Sequence, residues 1–386
     1  MIAKNTMPTW AEINLDNLKN NLNKIKKIIN EDTMICCVVK ANAYGHGSVT
    51  ISKYLENEKV DYFAVSRLEE ALELRENNIT TPILCLGYIP EEGLEIAIKN
   101  DIEITVYSLE VAKYLEQVAK RINKCANIHI KLDTGMSRIG FDCTLNSINE
   151  IYKIDNLEYI NIKGIFTHFA VADEKDKEFT NIQVAKFERM VKELEYRDVI
   201  IPIKHVSNSA AVIDCPSFNF NMIRCGIILY GHYPSEDVMK DKLDLKQVMT
   251  LKTRVAHIKE LKKNNGISYG LKYKTSDTEK IITIPIGYAD GFTRMQNNPK
   301  VYIQGEEFEV VGRICMDQCM VKIDKNINIK IGDEVIIFGE SENEISKIST
   351  DLNTIDYEVL CMVARRINRV YMERNAIAQV DSYLIK

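Results

Sequence analysis

Short apolar runs alternate with helix-like stretches from about residue 33 to residue 228, and this rhythm constrains the possible folds most strongly. Eight strand-like runs occur there, at residues 35–39, 62–65, 83–86, 102–106, 128–132, 162–167, 204–206 and 222–223. The stretches between them, such as 67–76 and 109–119, have helical spacing of apolar residues. This alternation indicates parallel strands joined by crossover helices. We therefore predict an α/β fold with an N-terminal (β/α)8 TIM barrel, with an open doubly wound sheet as the alternative.

The pattern changes after about residue 245. Strand-like runs dominate there, at residues 249–258, 281–286, 301–303, 308–311, 320–323 and 335–338. Turn residues separate them, and two helical stretches lie near 345–352 and 358–366. This pattern predicts a C-terminal, mostly antiparallel β domain. Two domains also suit a chain of 386 residues, because single cores rarely grow beyond roughly 250–300 residues. The polar segment 234–244 is the predicted boundary.

Composition excludes several classes of partner. The net charge is −5, and without a basic excess neither nucleic acid nor an anionic membrane surface is an expected partner. No stretch approaches the roughly 20 apolar residues of a spanning helix, and the N-terminus lacks the apolar run of a signal peptide. The ten cysteines form no CxxC pair with a histidine partner, so we expect no metal site. We predict reduced, mostly buried thiols and a cytoplasmic location.

Polar and glycine residues follow the predicted barrel strands. They occupy residues 40–47, 133–138, 168, 207–209 and 224–226. Because the carboxyl ends of barrel strands form one face, these groups are expected to gather there. Lys40 directly follows five apolar residues. A lysine at the end of such a run can be desolvated, which lowers the pKa of its amine and makes the amine nucleophilic toward carbonyls. The alternative is a surface lysine whose charged end reaches solvent.

A phosphate site is also indicated on this face. Ser209, the backbone of Gly226 and Tyr44 offer hydroxyl and amide donors. Phosphate sites after strands seven and eight recur in such barrels. Taken singly, Ser209 is typical of a helix cap, and His168 of a half-buried histidine.

Several motifs resemble those of one family. The stretch VVKANAYGHG at 38–47 is similar to the cofactor-lysine motif of alanine racemases. Further similar motifs follow in that family's order: KLDTGMSRIG at 131–140, THFA at 167–170, NSAA at 208–211, RCGI at 224–227, SYG at 268–270, GYADG at 287–291, CMDQ at 315–318 and DYE at 356–358. Ser137 and the pair Phe292-Thr293 fall where the family pattern tolerates variation. The resemblance covers nearly the whole chain.

The resemblance implies a domain plan and an assembly. A pyridoxal phosphate-binding barrel would span 11–243, and a β-rich domain would combine 1–10 with 244–386. The chain would form a homodimer with shared active sites, in which the β domain of one subunit supplies Tyr269 to the barrel of its partner. The implied activity is racemisation of L- and D-alanine, which supplies D-alanine for peptidoglycan.

The resemblance also implies a role for each site residue. Lys40 would hold the cofactor and serve the D-isomer face, while Tyr269 would serve the L-isomer face. Tyr269 would lie near His168, and His168 near Arg224, which would contact the pyridine nitrogen. The full implied cofactor set is Lys40, Tyr44, His168, Asn208, Ser209, Arg224, Gly226, Ile227 and Tyr357. The implied substrate and gate residues are Arg138, Met316, Tyr288, Asp173, Arg294, Arg313 and Lys131, the last carbamylated in many relatives. Interfacial ion pairs are the alternative for the gate residues.

Three other functions stay open from the sequence. A pyridoxal phosphate decarboxylase of similar architecture typically places a carboxylate near the pyridine nitrogen, and Arg224 argues against it. A cofactor carrier without catalysis is disfavoured by the β domain with Tyr269. A racemase for serine or another small amino acid differs from an alanine racemase only in degree, because a hydrophobic pocket rejects one added hydroxyl by only ~10²-fold.

Overall fold

The computed structural model describes residues 6–339 and 345–384, which divide into two compact units. One unit, here called the barrel unit, comprises Lys19–Ala43 and Ser48–Leu245. The other, the β unit, comprises the described residues of Met1–Leu18, Tyr44–Gly47 and Lys246–Lys386. Residues 1–5, 340–344 and 385–386 of the predicted β-rich domain lie outside the described residues.

The barrel unit is built on a cylinder of parallel strands. Among the described residues it has eight principal strands: Met34–Val38, Tyr62–Val65, Ile83–Cys85, Ile102–Val106, Ala126–Asp133, Ile160–Phe166, Ile203–His205 and Met222–Cys225. The eighth strand pairs in parallel with the first, with Arg224 opposite Cys36. Backbone hydrogen bonds from Asn221 N–H to Lys204 O (3.1 Å) and from Arg224 N–H to Ser207 O (3.0 Å) join the seventh strand to the eighth. The predicted (β/α)8 barrel is confirmed.

Helices precede or connect these strands, and their sequences carry ordinary start and stop features. Their bounds are Leu15–Ile28, Ser48–Asn57, Leu68–Glu76, Glu91–Lys99, Leu109–Arg121, Leu145–Asp155, Glu178–Glu195 and Ser209–Asp214. Before Leu109–Arg121, the Ser108 side chain accepts a hydrogen bond from Val111 N–H at 3.2 Å. An acidic first turn and a basic last turn suit the helix dipole. Its apolar positions recur at helical spacing and are buried, at Ala112, Leu115, Val118 and Ala119.

The β unit contains a mixed but mostly antiparallel sheet. In its described part, ten strands pair in this spatial order: His257–Leu261, Glu279–Ile284, Cys319–Ile323, Glu306–Val311, Lys300–Ile303, Glu334–Phe338, Met249–Arg254, Thr9–Asn14, Asn368–Glu373 and Ala376–Asp381. Thr9–Asn14 pairs in parallel with Asn368–Glu373, whereas the other neighbouring pairs are antiparallel. Two helices accompany the sheet, Ile345–Asp351 and Asp356–Met362. The predicted mostly antiparallel β domain is confirmed.

One apolar run of the sequence divides into two strands. Residues 249–258 form Met249–Arg254 and the start of His257–Leu261. At the break, Val255 N–H donates to Asp333 O and Ala256 N–H donates to Thr283 O, both at 2.9 Å. The chain therefore changes its partner strand between these two residues. Periodicity reports which face of a strand is apolar, not which strand lies beside it.

The segment Tyr44–Gly47 is held by buried side chains of the β unit. Arg369 Nε donates to Gly45 O at 2.9 Å, and Tyr371 Oη donates to His46 O at 3.0 Å. Gly47 has φ +98°, and a Cβ built there would lie 1.9 Å from Tyr371 Oη. Only glycine fits this approach without displacing the tyrosine.

Gly47→Ala is expected to destabilise the fold by about 2–4 kcal/mol, since it adds both a clash and an unfavourable φ. Gly305→Ala is the matched control, because Gly305 has φ +84° and nothing within 4 Å of the added Cβ. The control should lose about 1 kcal/mol. Urea unfolding measures both, and equal losses would rule out the clash with Tyr371.

Candidate active site

Lys40 lies two residues after the end of the first barrel strand, Met34–Val38, and begins a turn with positive φ angles. Ala41, Asn42, Ala43 and Tyr44 all have positive φ, at 52°, 57°, 52° and 52°. This left-handed region costs an L-residue roughly 1–2 kcal/mol. Such conformations persist only where surrounding structure enforces them, and they cluster at functional sites.

Neighbouring polar groups hold the turn after Lys40. Ala41 N–H donates to Glu70 Oε1 at 2.6 Å. Ser48 N–H donates to Asn42 Oδ1 at 3.0 Å, which ties the end of the turn to the start of the next helix. Lys40 itself is half-buried. Glu70 could not be singled out from the sequence, because the residue occupies an ordinary helical position.

Arg224 lies on the eighth barrel strand with its side chain buried. Nη1 donates to Nδ1 and to the carbonyl O of His205, both at 2.9 Å. Nη2 donates to Thr167 O at 2.8 Å and to Val206 O at 3.0 Å, and lies 3.3 Å from His168 Nδ1. Burial lowers the pKa of Arg224 to about 10. The guanidinium therefore keeps its charge at neutral pH and is oriented by the carboxyl ends of two strands.

His168 lies beside this guanidinium. Burial, and then the positive charge of Arg224, hold the pKa of His168 well below its ordinary value. The positive charges of Arg138, Lys131 and Lys40 act in the same direction. The imidazole is therefore neutral at physiological pH. The charges of four predicted site residues, Arg224, Arg138, Lys131 and Lys40, thus all act on the pKa of a fifth, His168.

Lys131 is a buried lysine on the fifth barrel strand. Its Nζ donates to Leu132 O at 2.6 Å and lies 5.5 Å from the centre of the Phe166 ring. Burial, followed by the nearby charge of Arg224, lowers the pKa of Lys131 to about 7. A large fraction of this amine is therefore unprotonated at neutral pH. Arg138, seven residues later, is exposed.

Hydroxyl and amide donors lie next to each other after strands seven and eight. The Asn208 side chain accepts a hydrogen bond from Ala211 N–H at 3.1 Å and caps the helix Ser209–Asp214. The helix cap that the sequence suggested for Ser209 is therefore formed by Asn208. Ser209 Oγ instead accepts from Gly226 N–H at 3.1 Å, just before the short 3₁₀ helix Ile227–Tyr230. Neutral donors at helix starts are suited to binding an anion.

Tyr44 and Tyr357 form a pair within the β unit. Their ring centres are 5.9 Å apart, and Tyr357 lies on the helix Asp356–Met362. Burial raises the pKa of the Tyr44 phenol above its ordinary value, so its hydroxyl stays protonated.

Tyr269 begins a short 3₁₀ helix in the β unit and is 67% exposed. The preceding residue, Ser268, has φ 63°, and its hydroxyl donates to Arg313 O. This bond fixes the tyrosine loop against the segment that follows the strand Glu306–Val311.

The other predicted substrate and gate residues of the β unit lie on neighbouring loops. Tyr288 N–H donates to Cys315 O at 3.1 Å, and Ala289 N–H donates to Met316 O at 3.0 Å. The Arg294 guanidinium lies 6.0 Å from the centre of the Tyr288 ring. The structure thus groups Tyr269, Tyr288, Arg294, Arg313 and Met316. Asp173 belongs to the barrel unit, where its carbonyl O accepts from the Ser235 hydroxyl.

Three buried polar residues of the barrel interior were not among the site residues predicted from the sequence. Glu103, His129 and His205 lie on strands four, five and seven. They connect to Arg224 by hydrogen bonds. A carboxylate or imidazole inside an otherwise apolar predicted strand is the feature that could have identified them.

The described residues contain neither a metal-binding cluster nor a membrane-spanning helix. There, no cluster of three or more His, Cys, Asp or Glu side chains is arranged to hold a metal ion. Nor does any described helix combine the length and apolar character that crossing a bilayer requires. All ten cysteines lie in the described part and are free thiols, six of them buried.

Comparison with known proteins gives matches along both units. The family model "Alanine racemase, N-terminal domain" matches residues 13–234, and "Alanine racemase, C-terminal domain" matches residues 248–371. The alanine racemase of Methanococcus maripaludis is 49% identical over 368 residues, covering 95% of this chain and 99% of that protein.

Solved structures of alanine racemases also superimpose on nearly the whole chain. The alanine racemase of Clostridium difficile 630 superimposes with a TM-score of 0.97 at 58% identity, covering 98% of this chain and 100% of that one. The alanine racemase of Bacillus anthracis with bound L-Ala-P superimposes with a TM-score of 0.93 at 33% identity, covering 98% of each chain.

Proposed function

The chain belongs to the alanine racemase family, and on that premise we propose that it is an isomerase that interconverts L- and D-alanine with pyridoxal phosphate as cofactor. The observation that carries the proposal is the buried Arg224 guanidinium beside the neutral imidazole of His168. A guanidinium has no proton to give near neutral pH. It therefore suits a reaction in which the pyridine nitrogen stays unprotonated, and it disfavours the decarboxylase alternative.

The donor groups of the chain fit the cofactor. A phosphate needs several neutral or positive donors. The barrel unit offers the Ser209 hydroxyl and the Ile227 amide, and the Gly226 amide, which donates to Ser209 Oγ, lies beside them. On the family resemblance we add Asn208 and the phenols of Tyr44 and Tyr357 to this set. Arg224 would contact the pyridine nitrogen, and Lys40 would hold the cofactor covalently.

Two side chains would move the proton. Pyridoxal phosphate, when bound, supplies the conjugated ring that makes the Cα–H of an attached amino acid acidic enough to lose. The amine of Lys40 would then take or give the proton on the D-isomer face, and the phenol of Tyr269 from the other subunit on the L-isomer face. The neutral His168 would accept a hydrogen bond from Arg224 and orient the tyrosine. Arg138 and the backbone N–H of Met316 would bind the carboxylate of the substrate.

A homodimer is part of the proposal. Tyr269 and Met316 are 67% and 53% exposed, although the proposed chemistry needs them in a site that excludes water. A partner subunit covering this surface would resolve the conflict. Tyr288, Arg294, Arg313 and Asp173 would then line the entrance. The D-alanine produced would serve peptidoglycan synthesis.

Lys131 is expected to react with carbon dioxide, forming a carbamate and releasing one proton. The neutral amine is the reactive form, so the product should be present about one pH unit above the lysine pKa of about 7 and lost about one unit below it. The anion would then orient Arg138. Carbon-13 NMR with labelled bicarbonate measures the product, and K131Q is the control that must lack it. A signal that does not change with pH would contradict this role.

The proposed function is tested by following L-alanine with circular dichroism or polarimetry after adding cofactor to the purified protein. Decay of the signal to that of the racemate is expected. Parallel assays use L-serine, and release of carbon dioxide from lysine, ornithine or diaminopimelate. Cofactor binding without any turnover would support a carrier, and carbon dioxide release would support a decarboxylase.

A further inference from the structure

A chain of buried hydrogen bonds leads away from Arg224 through the barrel interior. Arg224 Nη1 lies 2.9 Å from His205 Nδ1. His205 Nε2 lies 2.9 Å from His129 Nδ1, and His129 Nε2 lies 2.7 Å from Glu103 Oε2. The two histidines are fully buried, and Glu103 and Arg224 are 5% and 4% exposed. The proposed chemistry assigns a role to Arg224 only.

The guanidinium fixes the proton on each ring. Because Arg224 can only donate, His205 Nδ1 must accept. The proton of a neutral His205 is then on Nε2, which donates to His129 Nδ1. That nitrogen must accept in turn, so the proton of His129 is on Nε2 and points at the Glu103 carboxylate. The direction of donation is thus the same along the whole chain.

Both rings are neutral in this arrangement. Burial, and then the positive charge of Arg224, hold the pKa of His205 well below its ordinary value. His129 has a single ring proton because its Nδ1 is an acceptor. The Tyr62 hydroxyl lies 3.4 Å from Glu103 Oε1 and is a second donor to the carboxylate. With both rings neutral, the guanidinium of Arg224 is at one end of this chain and the carboxyl group of Glu103 is at the other.

We propose that Glu103 is the counter-charge of Arg224 and positions it through His129 and His205. A buried cation without an anion is unfavourable in a low-dielectric interior. Polarised hydrogen bonds in such an interior strengthen one another, which lets two neutral rings link the separated charges. Any effect on turnover rests on the proposed function, whereas the proton arrangement does not.

The backbone is shaped around these rings. A Cβ on Gly164 would lie 2.3 Å from His129 Nδ1, so the ring occupies the space that any other residue would need. The register between strands five and six also shifts at Ile128/His129. On the other side, the Phe166 ring stacks on His205 with centres 4.7 Å apart and planes at 10°. Both rings are thus confined to one orientation.

The ring protons are tested in the wild-type protein by nitrogen-15 NMR with labelled histidine. The sequence has six histidines, so substitution of each can assign the spectrum. We expect both His129 and His205 as neutral rings protonated on Nε2. A doubly protonated ring, or a proton on Nδ1 of either, would overturn the proposal. The protonation states are read in the wild-type protein, and the substituted proteins serve only to assign its signals.

The counter-charge is tested with E103Q, which keeps an oxygen acceptor and removes the charge. We expect an upfield shift of the N–H protons of both His129 and His205. E279Q is the matched control, because Glu279 is also buried and also accepts from a tyrosine hydroxyl, that of Tyr273. It should leave both ring signals unchanged. An unchanged His205 signal in E103Q would contradict the proposal.

Kinetics distinguish this positioning role from a role in substrate binding. We expect E103Q to lower kcat roughly tenfold with KM unchanged. Such an effect is typical of residues that orient a ligand-binding side chain without touching the ligand themselves. An unchanged kcat would contradict the positioning role. If wild-type protein has the expected ring protons but no alanine turnover, the proposed function fails and this inference stands.

Discussion

Lys40→Ala is expected to abolish both the visible absorbance of covalently held pyridoxal phosphate and the racemisation of alanine. The amine is the only group proposed to hold the cofactor covalently, and it is also the proposed base for one face of the substrate. Removing a group with both roles typically costs three or more orders of magnitude in rate. Absorbance of the purified variant with added cofactor, and circular dichroism of L-alanine, measure the two losses.

Lys204→Ala is the matched control for this variant. Lys204 is also a half-buried lysine of the barrel unit, on the seventh strand, where its Nζ lies 2.9 Å from Glu195 Oε1. It should keep both absorbance and turnover. If Lys40→Ala retained both properties, Lys40 would have no part in the mechanism.

Tyr269→Phe is expected to remove proton exchange from L-alanine while leaving it on D-alanine. The phenol is assigned only to the L-isomer face, and loss of such a group costs about 10²–10⁴-fold. In deuterated water, proton NMR follows Cα exchange on each isomer separately. Net racemisation should fall by the same factor from either side, since both directions pass through the same two bases.

Tyr269 is largely exposed in the isolated chain, so its substitution should change the free energy of unfolding by less than about 0.5 kcal/mol. Tyr88→Phe is the control, because Tyr88 is 65% exposed and carries no assigned role. Equal loss of exchange on both isomers, or full activity, would end the model of two bases on opposite faces.

The barrel and the position of Lys40 could be predicted because they follow from local patterns. Each barrel strand is an apolar run followed by polar residues, so the order of the runs gives the topology. Lys40 lies at the end of such a run, as do His168 and Arg224. The groupings predicted around Arg224 follow from one rule, that the carboxyl ends of parallel strands share a face.

The interior chain and the backbone of residues 41–44 could not be predicted in this way. Alanine has no preference for positive φ, so Ala41 and Ala43 carry no local indication of their conformation. Glu103 and His129 stand out in the sequence as polar residues within apolar runs, but the hydrogen bond between them exists because strands four and five lie side by side. Both features come from contacts between segments distant in sequence, which periodicity does not report.

The turn of positive φ at residues 41–44 has a consequence for engineering this enzyme. Glycine at Ala43 would relax the backbone, since glycine accepts either sign of φ. The same change would free the segment that fixes where the amine points. A substitution that relieves strain in this turn and so raises the unfolding temperature is therefore expected to lower the catalytic rate. Stabilising substitutions are better placed far from the turn.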